Sequence, residues 1–121
     1  MSGTQIVGAI QPITPHTIAD SISVGIPRNR VKAWQYVART RGEFVAVEDQ
    51  EILEAIALLA NRAGVFAEHS GAAGLAGVVK ALATNIITPE DKVAVMVTGN
   101  GLKDAEAALG LVDVPAATDP A

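Results

Sequence analysis

Cysteine is absent from this chain of 121 residues. Without thiols there is no disulfide framework and no thiolate metal site. Histidine is nearly absent as well: His16 and His69 stand alone, without the paired spacing of a zinc site. Aromatics make up 3% while hydrophobic residues reach 50%, so the core has to be Ala, Val, Ile and Leu packed around glycines rather than around rings. Basic residues are few and scattered, 9 against 13 acids for a net charge of −4, and lack the clustering that nucleic-acid phosphates require. No apolar run approaches the roughly 18 residues of a membrane span, and the first residues lack a charged-then-apolar leader. The expectation is a cytoplasmic protein that docks on neither membrane nor nucleic acid.

What is present is an alternation of periods. A chain of this length forms a single domain, 1–121, able to bury about two-thirds of its unfolded surface. A short apolar run, Ile6 to Ile10, reads as a strand interrupted by Pro12 and Pro15. His16 to Val24 reads as a two-turn helix capped by Thr17 and closed by Gly25 and Pro27. Asn29 opens a second helix with Val31, Trp34, Val37 and Ala38 on one stripe, ended by Gly42.

Glu43 to Val47 reads as a short strand. Glu48 to Arg62 is the strongest helix, with acids in its first turn, Arg62 in its last and Gly64 beyond it; Ile52, Ala55, Ile56, Leu59 and Ala60 form its buried face. Val65 to Ala67 is extended, and Ser70 is expected to cap a small-residue helix running to about Thr84. Pro89 to Lys92 turns the chain into a strand over Val93 to Val97. A short helix over Asp104 to Leu109 and a mobile Pro/Ala/Asp-rich tail, 111–121, complete the reading. Strands separated by helical crossovers point to an α/β fold in which helices pack on a short, mainly parallel sheet. Three strands are few for such a sheet, so its edges are expected to pair with further chain or another subunit, a homodimer included.

The stretch KVAVMVTGNGLKD, residues 92–104, carries the most chemistry. In an open α/β sheet, ligands bind outside the carboxyl ends of the strands, where Thr98, Gly99, Asn100 and Gly101 would lie. Gly99-Asn100-Gly101 is half of a dinucleotide fingerprint, but Asp104 replaces the third glycine and a tight turn accounts for both glycines. In Glu68-His69-Ser70-Gly71-Ala72-Ala73-Gly74 a carboxylate precedes a helix stripped of bulk. Helical glycines each cost up to about 1 kcal/mol relative to alanine, which suggests close approach of another backbone or a flat ligand, or plain helix packing. Arg28, at the exit of Ser23 to Asn29, could clamp an anion or remain solvated. Lys32, Lys80, Lys92 and Lys103 read as helix-surface or loop groups rather than nucleophiles.

Taken in order, TIADSISVGIPRN, then GEFVAVEDQEILEAIALLANRAGVFAEHSGAAGLAG, then KVAVMVTGNGLKD resemble the carboxyl-terminal third of the threonine synthases. These are pyridoxal-phosphate enzymes of the tryptophan-synthase-β fold type. The resemblance runs from about Pro15 to Leu109. The T-G-x-G-L-K-D ending and the I-x-V-G-x-P before it are the more specific parts, whereas E-x-S-G-A-A is shared with threonine and serine dehydratases.

The resemblance implies a partial domain of that fold, with Thr98, Gly99 and Glu68 at the cofactor. The family hydroxyl at the Thr98 position meets the pyridine nitrogen, and the acid at the Glu68 position lies near the ring. It implies the conversion of O-phosphohomoserine and water to threonine and phosphate. The family's cofactor-carrying lysine, its asparagine at the ring hydroxyl and its glycine-rich phosphate loop belong to upstream segments without a match here, so no catalytic residue is assigned. His69 replaces the proline usual after the glutamate. The implied expectation is a piece inactive alone, binding pyridoxal 5′-phosphate only weakly, and working with the missing amino-terminal part or another subunit. A free-standing, self-associating or small-ligand-binding domain and a dehydratase fragment are the alternatives.

Overall fold

A computed structural model of the protein describes residues 11–104. Two antiparallel helical passes form its centre. Helix α2, Asp49–Ala63, and helix α3, His69–Ala83, pack against each other, and a 3-10 turn at Asp20–Ile22 lies on α3. Helix α1, Arg30–Arg39, precedes them, and a second 3-10 turn, Gly101–Asp104, ends the described chain.

Helix α2 starts where its sequence says it should. The Glu51 carboxylate accepts the Glu48 N–H at 2.6 Å, completing a reciprocal capping box. Gly64 stops it in the left-handed conformation at φ 63°, which L side chains adopt only at a cost. Ile52, Ala55 and Ile56 are buried as expected, while Leu59 is half-buried and Ala60 exposed. The core these residues share with Ala19, Ala67, Ala72 and Ala76 holds no large side chain sealed from solvent. It is the small-residue core that the scarcity of aromatics required.

Several local readings are corrected. The helix expected over His16 to Val24 contracts to Asp20–Ile22, because Asp49 takes the Thr17 hydroxyl at 2.5 Å and the Ile18 N–H at 3.2 Å, groups a helix start would need. Thr17 accepts instead from the Ala19 N–H. Helix α3 begins at His69 rather than after Ser70, since the Glu68 carbonyl already accepts the Ala72 N–H at 2.9 Å. Helix α1 matches its expected limits but buries no residue: Trp34 and Val37 are half-buried, and Val31 and Ala38 exposed.

The expected sheet does not form among the described residues. Glu43 to Val47 and Val93 to Val97 run without a ladder, and the single bridge, Ala67 with Asn100, is antiparallel. The bridge falls after the chain bends at Gly99, so it pairs the turn beyond the expected strand rather than the strand itself. A strand exists through its neighbours, and none of the described segments supplies one. The readings at Ile6 to Ile10, beyond Asp104 and over 111–121 lie outside the described residues.

Candidate functional site

The first turn of α3 meets the bend at Thr98 and Gly99. The Glu68 N–H donates to the Gly99 carbonyl at 3.0 Å, and the Gly101 N–H to the Phe66 carbonyl at 2.9 Å. Gly71 brings the helix onto this bend: a Cβ there would stand 2.9 Å from the Gly99 oxygen and 3.0 Å from its nitrogen. The close approach expected of a helical glycine is therefore made by another backbone. Gly99 has no room for a side chain either, because a Cβ would collide with the Glu68 carboxylate lying across it.

Thr98 is exposed beside this junction. The Glu68 side chain is 12% exposed, and its carboxylate pairs with the Lys103 ammonium at 3.1 Å. Lys103 also donates to the Ser21 hydroxyl at 2.9 Å. A cleft of about 140 Å³ opens here between Ile18, Ser21, Glu68, Ser70 and Lys103. The structure thus brings together all three residues singled out in the sequence, Thr98, Gly99 and Glu68.

Two members of the cluster were not legible. Lys103 reads locally as a loop cation, and only its position four residues past Gly99, beyond a turn that folds back, hints that it returns to Glu68. Ser21 carries no signal, its contact spanning 82 positions. Lys80 likewise proves to be paired, with Glu51 at 2.9 Å. Arg28 is exposed and outside the cluster. The buried His69 lines the same cleft.

A second tie supports the cleft. The Asp49 carboxyl is held below the usual carboxylate range, chiefly by the Thr17 hydroxyl, with the Ile18 N–H and the charges of His16 and His69 adding and desolvation opposing. Among the described residues no group of three or more His, Cys, Asp or Glu side chains could hold a metal ion, and no helix is long and apolar enough to cross a membrane.

Comparison with known proteins decides the family. The model of the pyridoxal-phosphate dependent enzymes matches residues 3–99, most of the sequence. The chain belongs to that family. It is 40% identical over 115 residues to the threonine synthase of Mycobacterium tuberculosis, covering 90% of this chain and 32% of that protein. The threonine synthase of Halalkalibacterium halodurans is 41% identical over 106 residues, 88% of this chain and 30% of the relative. That of Methanocaldococcus jannaschii is 40% identical over 101 residues, 84% and 25% respectively. The chain spans between a quarter and a third of these relatives' length and matches their carboxyl-terminal part.

A hydroxyl-bearing residue and a carboxylate beside a bend without Cβ atoms are donor and acceptor types compatible with one edge of pyridoxal phosphate. Thr98 is exposed beside Gly99, whose missing Cβ leaves the room that the Glu68 carboxylate takes. The described lysines nearest the junction reduce to Lys103, which is engaged by Glu68 and Ser21.

Proposed function

We propose that these residues form the carboxyl-terminal wall of a cytoplasmic threonine synthase acting on O-phospho-L-homoserine and water to give L-threonine and phosphate. The observation that carries the reading is the identity of about 40% across 90% of the chain, extending through the bend where Thr98, Gly99 and Glu68 meet. Pyridoxal phosphate, when bound, supplies the electron sink for proton removal next to the substrate's amino group. Thr98 would hold the ring nitrogen through a neutral hydroxyl, which unlike an aspartate does not keep that nitrogen protonated. Gly99 would let the Glu68 carboxylate sit against the bend, and Glu68 would line the ring's edge.

The remaining wall comes from polypeptide equivalent to the two-thirds of the relatives that this chain does not span. Its place is a groove of about 480 Å³ between α3 and the Val93 segment, lined by Val45, Gly74, Gly77, Val78, Ile87 and Val93. Nothing lies within 4 Å of where a Gly77 Cβ would stand, so a neighbouring element can approach the bare helix. Among the described residues seventeen large hydrophobic side chains are exposed, Met96 at 81% among them, which supports a covering partner.

The test is to assay phosphate release from O-phosphohomoserine by the 121-residue protein, alone and joined to the upstream two-thirds of a related threonine synthase. We expect no turnover alone and threonine formation by the joined protein. Turnover by the 121 residues alone, or release of ammonia from threonine or serine by the joined protein, overturns the reading. Sedimentation of the chain alone separates a self-associating domain from one that waits for a different segment.

A further inference from the structure

The cleft at the bend contains an ion pair that the proposed chemistry does not use. Lys103 reaches it from the 3-10 turn Gly101–Asp104, and Ser21 from the 3-10 turn Asp20–Ile22. The ammonium contacts Glu68 Oε2 at 3.1 Å and Ser21 Oγ at 2.9 Å, while Glu68 lies across the face of Gly99. We propose that Lys103 is a positioning residue: it pins the Glu68 carboxylate onto the Thr98–Gly99 bend and neutralises it there, so that Thr98 is the group that meets a ligand at this edge.

Three observations converge on this assignment. Glu68 is the half of the pair taken from water, with a side chain 12% exposed against 63% for Lys103. A carboxylate losing its hydration needs a nearby countercharge or donors, and Lys103 is the cation placed against it. Gly99 admits the carboxylate only because it has no Cβ, so the pair and the glycine form one packing unit. Ser21 receives another N–H of the same ammonium and fixes its direction.

The consequence for chemistry rests on the threonine synthase reading. An unneutralised anion close to the pyridine ring would favour the protonated nitrogen and undo what a neutral hydroxyl at Thr98 provides. With Lys103 in place the edge is net neutral. The pair on its own stabilises the fold little, because one partner is largely in water.

The test begins without cofactor or catalysis. Amide spectra of the 121-residue protein are compared for Lys103→Gln, Glu68→Gln, the double variant and Lys103→Arg, with helical circular dichroism recorded beside them. We expect Lys103→Gln and Glu68→Gln to move the same Thr98 and Gly99 resonances, the double variant to move them no further, and Lys103→Arg to restore them. Ser21→Ala, a milder variant, should move the Asp20–Ile22 resonances and shift those of Gly99 in the direction seen for Lys103→Gln. Unmoved Thr98 and Gly99 resonances in Lys103→Gln, or additive shifts in the double variant, overturn the proposal.

In the joined protein, Lys103→Gln should shift the visible absorption band of bound pyridoxal phosphate and Lys103→Arg should return it. If no cofactor binds there while the amide coupling holds, the threonine synthase reading fails and the placement of Glu68 by Lys103 stands. If the cofactor binds and the coupling is missing, the reverse applies.

Discussion

A single methyl group should separate two glycines of the same helix. Gly71 faces the backbone of Gly99 at contact distance, and backbone cannot swing aside as a flexible side chain can. Gly71→Ala should destabilise the chain by about 1–3 kcal/mol through overpacking, read as a fall in the urea midpoint. Gly77 faces open space, so Gly77→Ala should stabilise it by up to about 1 kcal/mol from helix propensity. Equal effects at the two positions would show that α3 does not sit on the bend.

At this scale the sequence was informative where residue type itself carries the chemistry. Thr98, Gly99 and Glu68 could be singled out because a hydroxyl, a missing Cβ and a carboxylate next to turn and cap signals are visible locally. Lys103 and Ser21 could not, because their contacts span 35 and 82 positions. No window of local pattern contains both partners of such a tie.

Among the elements, α2 holds most of the predictable behaviour. Gly64→Ala should cost about 1–2 kcal/mol, the penalty of the left-handed conformation for a residue with a Cβ, read in thermal melts. Acid should loosen the start of the same helix. Asp49 is lowered first by the Thr17 hydroxyl, and Glu51 first by the Glu48 N–H and then by Lys80. Groups lowered in the folded state stabilise it fully above their ordinary carboxylate values and lose that contribution as pH falls through the lowered ones. Stability measured downward from pH 5 should therefore fall, and Asp49→Asn should flatten the decline; an unchanged slope would show that the Thr17 tie is absent in solution.

The helices were legible because capping residues and apolar spacing are local, and α2 with its Glu48–Glu51 box and Gly64 stop is the clearest case. The 3-10 turn at Asp20–Ile22 was misread as a longer helix because a distant carboxylate competes for its starting groups. The sheet was the weakest inference, since a β-rich run such as Val93 to Val97 states only a readiness to pair. Whether it does so depends on strands that residues 11–104 do not contain.

At the level of the whole molecule, the exposed groove on α3 sets the expected behaviour. Placing a charge at Val93 should leave the helical signal of the 121-residue protein unchanged, because Val93 is 48% exposed and outside the buried core. With the upstream two-thirds supplied as a separate chain, the same Val93→Asp change would bury an unpaired carboxylate and should weaken association of the two parts about tenfold or more, measured by titration calorimetry. Unchanged affinity would place the contact elsewhere. The family assignment itself was legible early because three motif segments occur in the right order across nearly the whole chain.

The ties at the first 3-10 turn and just before it have a further effect. Thr17 and the Ile18 N–H are fastened to Asp49, and Ser21 to Lys103. The amino-terminal stretch is thus clasped to later parts of the fold at several points, independently of the peptide bonds that follow it. A protease nick at the exposed turn Pro27 to Asn29 would leave two pieces that still migrate together through a sizing column.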